Sequence, residues 1–292
     1  SEELSNMKLT YGEITGSKKL KKNIASLYQF QTIDNVMVAH GAIGANSLVY
    51  NTLISKGDKV VSILPTYQQH YSIPESLGAE LSILRLKPED NFLPIIDELK
   101  QLVKSDTKLI ALTNPNNPTG SLMNEALLLK IVDIARTCGA YIICDEVYRG
   151  TNQNDPEYGT SIVDIYEKGI STGSMSKTYS LAGLRLGWIT ASTEILKDVF
   201  IHRDYNTISV GMLDDYFASI ALENRQKIAL RNTSITRNNL EILDTWVKNE
   251  KFISYVKPKA GTTALLKYEF NIPSREFCIQ ILKNTGVLFA PG

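Results

Sequence analysis

Through the first two thirds of the chain, short apolar runs alternate with longer stretches whose apolar residues recur every three or four positions. That alternation predicts mostly parallel strands joined by crossover helices, an α/β arrangement. Residues 36–39 form the first strand, running into a small-residue turn at 41–45 and a helix over 46–54. Residues 59–64, 79–86 and 108–113 are further strands, the first stopped by Pro65 and the last by the Asn-Pro-rich turn 114–120. Residues 124–138 have helical spacing, and Gly139 stands where a C-cap belongs. Residues 141–144 are a fully apolar strand ending in Asp145 and Glu146. Residues 169–172 lead into a hydroxyl-rich loop, and 187–190 are another strand. From about Ile195 to Asn249 the pattern turns helical, with one long segment over 214–246. A strand at 264–268, a helix at 274–284 and a last short strand near Leu288 belong to a smaller unit.

Composition narrows the class without naming the chemistry. At 292 residues the chain has room for one large domain and a smaller one. Its 43% hydrophobic and 21% charged content is ordinary for a globular enzyme. Lysine plus arginine balances aspartate plus glutamate at 31 each, which points away from a nucleic-acid surface. No apolar run approaches membrane-spanning length, and no signal pattern opens the chain. Cys138, Cys144 and Cys278 form no C-x-x-C pair and read as reduced, mostly buried thiols of a cytoplasmic protein. His40, His70 and His202 lack metal-ligand spacing and read as structural or surface residues, so no metal site is expected. No G-x-S-x-G elbow, G-x-G-x-x-G fingerprint or P-loop is present.

The informative stretch is 171–188, where Lys177 sits among Ser174, Ser176 and, eight residues on, Arg185. A lysine amine forms a Schiff base with an aldehyde once burial and neighbouring cations favour its neutral form. Hydroxyls and a guanidinium close by are what a phosphate needs. Pyridoxal phosphate unites those two demands and adds a third, a charged partner for its ring nitrogen. Asp145, at a strand end, is the candidate for that partner, although an aspartate there also commonly caps a helix. Asn117 lies in a proline-stiffened turn, and its amide can donate to a phenolate oxygen. Gly41 to Ala45 offer backbone N–H groups at a helix start or serve only tight strand-to-helix packing, and Tyr67 either stacks on a ring or is a half-buried loop tyrosine.

In their order along the chain these pieces resemble the class I/II aminotransferases among the fold-type-I pyridoxal-phosphate enzymes. The matching residues are 11–17, 41–45, 65–67, 114–120, 145–148, 174–177 and 185–188. The resemblance implies a three-layer αβα large domain over residues 21–245, with a mostly parallel sheet that binds pyridoxal 5'-phosphate. It implies a smaller, incomplete α+β domain over 246–292 and an N-terminal segment, 1–20, near a dimer interface. Lys177 is then the Schiff-base lysine and the proton shuttle, Asp145 the ring-nitrogen partner, and Tyr67 the stacking residue. Asn117 and Tyr148 hold the 3′-oxygen. Ser174, Ser176 and Arg185, with the backbone amides of Ala42 and Ile43, hold the phosphate. Tyr11 matches the tyrosine that reaches the neighbouring subunit's phosphate in a homodimer. The chain departs from the family at both ends, lacking an N-terminal arm and the arginine that grips the substrate carboxylate, which implies either trimming at both ends, the favoured reading, or a different mode of substrate binding.

The expected activity is amino-group transfer from an amino acid to a 2-oxo acid. The same lysine and aspartate also serve elimination, decarboxylation or cyclising replacement, because the protein mainly selects which bond to the α-carbon breaks. A non-catalytic cofactor-binding regulator is the reading from another class, and it needs a basic DNA-binding helix that the chain does not display. Arg149 and the pair His202 and Arg203 are either substrate contacts or solvated charges.

Overall fold

The computed structural model describes residues 2–154, 156 and 158–292, so the expected N-terminal segment is described from Glu2 onward. The first half contains α1 (Glu2–Ser5), α2 (Lys18–Ala25), β1 (Val36–His40), α3 (Gly41–Leu53), β2 (Lys59–Leu64), α4 (Gln69–Ser76) and β3 (Glu80–Arg85). Next come α5 (Ile96–Leu102), β4 (Thr107–Thr113), α6 (Glu125–Cys138), β5 (Tyr141–Asp145), β6 (Gly169–Ser174) and β7 (Leu186–Thr190). The remainder is helical, α7 (Thr193–Arg203), α8 (Met212–Glu223) and α9 (Arg225–Asn249), before β8 (Ile253–Tyr255), β9 (Leu266–Tyr268) and α10 (Ser274–Thr285).

Among the described residues seven strands make one sheet, in the order β1-β7-β6-β5-β4-β2-β3. Every neighbouring pair is parallel except those of β7, which runs against both β1 and β6. The exception comes from the connection. Only residues 175–185 join β6 to β7, and they contain no helix longer than the single turn Ala182–Leu184, too little for a crossover. Alternation along the strands fills both faces. Ile110, Leu112, Ile142 and Cys144 pack on one side with Leu99, Leu128 and Ile131 from α5 and α6. Leu109, Ala111 and Ile143 pack on the other with Ala45, Val49 and Tyr50 of α3 and Val199 of α7. This is the expected three-layer αβα arrangement, and each such fully buried aliphatic side chain contributes roughly 1.5–3 kcal/mol. A third cluster joins Leu20 and Ile24 of α2 to Val38, Trp188 and Leu222 at the β1 edge.

Several local expectations are corrected. The helix expected at 46 begins at Gly41, whose φ of 65° turns the chain sharply out of β1, so 41–45 is the helix's first turn. The long helix over 214–246 is two helices broken at Asn224, whose side-chain amide donates to the Ile220 carbonyl at 2.9 Å and caps α8. No strand forms near Leu288. Residues with weak or short apolar patterns (α2, α4, α5 and β8) are elements that the sequence did not announce. Helix α6 conforms at both ends, with Asn124 accepting from the Leu127 N–H at 2.9 Å and Gly139 left-handed at the C-cap.

After α9 come the antiparallel pair β8–β9 and helix α10, with Tyr268 of β9 stacked on Phe277 of α10 at 4.3 Å between ring centres. Asp244 of α9 ties β8 down, accepting from Tyr255 Oη at 2.9 Å, Lys257 Nζ at 2.8 Å and Lys248 Nζ at 2.9 Å. No helix among the described residues is long and apolar enough to cross a membrane.

Candidate active site

Parallel strands place their C-terminal ends on one rim, and the antiparallel β7 begins on that same rim. The rim therefore gathers the residues just beyond β1 (Gly41), β2 (Pro65 to Tyr67), β4 (Asn114 to Asn117), β5 (Asp145 to Tyr148) and β6 (Ser174 to Lys177), together with Arg185 ahead of β7. Positions from 42 to 185 in sequence thus meet at one cavity of about 250 Å³. Lys177, Asp145, Tyr67, Asn117, Tyr148, Ala42, Ile43, Ser174, Ser176 and Arg185 all line it. Of the residues expected at the site, Tyr11 alone is elsewhere, 78% exposed on the surface. A roomier hollow of about 620 Å³ between α5 and α6 is lined by surface lysines and aspartates without any convergent set. Chemistry selects the smaller one.

Asp145 shares the strand parity of Ile143, so its side chain faces α3 and α4. There its Oδ2 accepts from Asn46 Nδ2 at 2.8 Å and lies 3.3 Å from His70 Nε2. Oδ1 accepts from the Val147 N–H at 3.1 Å. Residues 146–154, directly after β5, form turns and no helix, so Asp145 is not a helix cap. Behind Asn46, Thr172 Oγ1 donates to Oδ1 of that amide at 2.6 Å; Thr172 is the β6 partner of Asp145 in the sheet register. Behind His70 stands Tyr50, its hydroxyl 2.8 Å from Nδ1. Burial, and then the charge of Asp145, raise the Tyr50 phenol well above its ordinary range. His70 is fully buried beside the carboxylate, so of its two readings the structural one holds and the surface one does not.

The opposite end of the cavity is built by close approach. A β-carbon on Gly187 would collide with the Gly41 carbonyl carbon and lie 2.6 Å from the Ala42 nitrogen. The N-terminus of α3 therefore presses on β7 as only a glycine permits. A β-carbon on Gly41 would come within 2.9 Å of Arg185 Nη2. Arg185 itself is left-handed (φ 48°), and its Nη1 donates to the Ala182 carbonyl at 2.7 Å. Ser174 is buried and accepts from the Ser176 N–H at 3.2 Å. Hydroxyls, a guanidinium and a helix N-terminus converge here, the donor set for an anion.

Lys177 is exposed at the mouth of the cavity, its ammonium 5.9 Å from the Tyr148 ring centre. Its own fold does not supply the burial expected for it. Thr178 Oγ1 pins the loop to the turn after β5 through the Val147 and Arg149 carbonyls, at 3.3 and 2.9 Å. Tyr148 is almost fully buried. Burial raises its phenol above the ordinary range, and the hydrogen-bonded Thr262 hydroxyl pulls the other way. Thr262 belongs to the loop between β8 and β9, whose Lys259 and Ala260 N–H groups donate to the Gly120 carbonyl at 2.8 and 3.0 Å.

Neither basic group left open in sequence belongs to the site. Arg149 lies 5.1 and 5.4 Å from the ring centres of Tyr28 and Tyr158 and donates to the Leu27 and Gly159 carbonyls. Arg203 is buried, donating to the Val38 and Thr207 carbonyls, and burial lowers it to about 10. Among the described residues no group of His, Cys, Asp and Glu is arranged to hold a metal ion.

The model of the aminotransferase class I and II family matches residues 2–269. An aspartate aminotransferase of Pyrococcus horikoshii is 30% identical over 97% of this chain and 74% of its own. The capreomycidine synthase of Streptomyces vinaceus is 27% identical over 99% of this chain and 75% of its own. Among solved structures, a PLP-dependent aminotransferase from Streptococcus suis superposes with a TM-score of 0.96 at 42% identity, covering 100% of this chain and 77% of that one.

Proposed function

We propose a reaction from one premise: the chain belongs to the aminotransferase class I and II family and is a pyridoxal-phosphate-dependent enzyme. The reaction proposed is transfer of an amino group from an amino acid to a 2-oxo acid, with Lys177 as the covalent attachment point and the proton carrier. The observation that supports it most is the convergence on Asp145. This carboxylate lines the cavity, its Oδ2 accepting from Asn46 beside His70 and its Oδ1 accepting from Val147, and its oxygens keep acceptor capacity for a ring N–H.

The cavity fits the cofactor chemically, with anion donors at one end and this carboxylate at the other. When bound, the cofactor supplies an electron sink for the charge left when the α-proton is removed. Arg185, Ser174, Ser176 and the backbone N–H groups of Ala42 and Ile43 bind the phosphate. Asn117 and Tyr148 orient the ring through its 3′-oxygen, and Tyr67, 41% exposed at the rim, covers one face. The Lys177 amine takes the α-proton and returns it one position away, a role that typically contributes ~10²–10⁴-fold.

The protein is proposed to work as a cytoplasmic homodimer. Tyr11, Tyr205, Ile208 and Phe217 are exposed apolar side chains that a second copy would cover, bringing Tyr11 toward the neighbouring phosphate. Residues 21–245 are proposed as the cofactor domain and 246–292 as part of the smaller one. The similarity to a capreomycidine synthase supports a second reading, a cyclising reaction served by the same residues. Product analysis separates the two. Amino-group transfer yields a keto acid and an aminated acceptor in equal amounts, whereas a cyclised product without an acceptor supports the other reading. Replacing Lys177 with Ala should lower turnover by at least about 10²-fold; near-normal transfer by that variant overturns the assignment.

A further inference from the structure

Tyr50 is fully buried in α3, with no place at the cavity wall, yet its hydroxyl points at a ring nitrogen one step from the site. The series Tyr50 Oη, His70 and Asp145 spans 2.8 and then 3.3 Å, with both outer links buried. Among the described residues His70 is the one hydrogen-bond partner of that hydroxyl. Burial keeps the phenol protonated, so it enters the link as a donor. An imidazole nitrogen that accepts carries no proton, which leaves the ring proton on Nε2, directed at Asp145.

We infer that Tyr50 is a positioning residue of the cofactor site, fixing His70 as the Nε2–H tautomer. In that form His70 donates to Asp145 without bringing a positive charge to it. The carboxylate's charge is therefore left for the cofactor's ring nitrogen, not cancelled from behind. If both ring nitrogens carried protons, Tyr50 would have to accept, and its own hydroxyl proton would find no acceptor. Asn46 and Thr172 secure the same carboxylate oxygen by a separate route, so loss of Tyr50 alters His70 without freeing Asp145. The inference rests on Asp145 pairing with the ring nitrogen as proposed above.

The test is tautomer assignment by nitrogen NMR on histidine-labelled protein, with and without pyridoxal phosphate, since the chain has just three histidines. The wild type should show a pyrrole-type Nε2 and a pyridine-type Nδ1 at His70. Tyr50→Phe keeps the ring in place and removes the hydroxyl, and it should turn that pattern into a mixture. With it kcat should fall roughly two- to tenfold, the effect of losing one neutral hydrogen bond, with KM little changed. In a His70→Gln background, Tyr50→Phe should have no further effect on kcat. An unchanged His70 pattern in Tyr50→Phe overturns the inference, as do effects of the two variants that simply multiply. If no amino-group transfer occurs while the tautomer shift is seen, the proposed reaction fails and the role of Tyr50 toward His70 stands.

Discussion

At the scale of single residues, the site depends on side chains that hold other side chains. Asp145, Lys177, Arg185 and Asn117 could be picked out because each stands at a strand end or in a turn, and their order along the chain, more than any one of them, separated the cofactor reading from a helix cap or a plain turn. Asn46 and His70 could not. They lie 99 and 75 positions from Asp145, and nothing local distinguishes an asparagine or histidine in a helix that contacts a carboxylate from one that meets water. The signal that finds them is three-dimensional: Asp145 shares a face with Ile143, and α3 and α4 cover that face. Asn46→Leu tests how much that contact matters. Hydrogen bonds to charged groups are worth about 1.5–3 kcal/mol, so kcat/KM should drop roughly tenfold or more, while Thr172→Val, one link further out, should cost less. Steady-state kinetics of the two variants check the order. Equal rates in Asn46→Leu and wild type contradict the role given to Asn46.

At the scale of elements, apolar periodicity located the strands of the sheet and the helix α6 well, because alternation on a two-sided sheet and a clean N-cap are local signals. It overextended the last helices, since Asn224 interrupts a continuous helical pattern by bonding its own backbone. It also missed β8, three residues long and half-buried, whose place is set by α9. Asp244 provides that placement, and its three partners lower its carboxyl well below the ordinary range, Lys257 first, then Lys248 and Tyr255. A carboxyl whose folded-state pKa is lowered contributes stability that is complete above the unfolded value, about 4, and is lost as pH falls below it toward the folded one. Asp244→Asn should therefore melt below wild type at neutral pH, and the difference in Tm should narrow as the pH is taken below about 4. A difference that stays constant or widens in acid contradicts the assignment.

At the scale of the whole molecule, the fold matters because it turns five strand ends and one strand start into a single rim. Six segments spread from residue 42 to residue 185 become one cavity, and that convergence is what the order of motifs suggested before any geometry. What sequence order did not reveal is the openness of the lysine. Lys177 is exposed in the single chain, so its covering has to come from elements other than its own loop. The proposed dimer supplies one such element through Tyr11. The central claim is that Lys177, among the chain's many lysines, is the one that holds the cofactor. Borohydride reduction of the protein loaded with stoichiometric pyridoxal phosphate, followed by peptide mass spectrometry, reads this directly. The cofactor's mass should appear on the peptide carrying Lys177 and vanish from it in Lys177→Ala, with no other lysine taking its place. A label spread over surface lysines, or carried by a different residue of the cavity, contradicts the account.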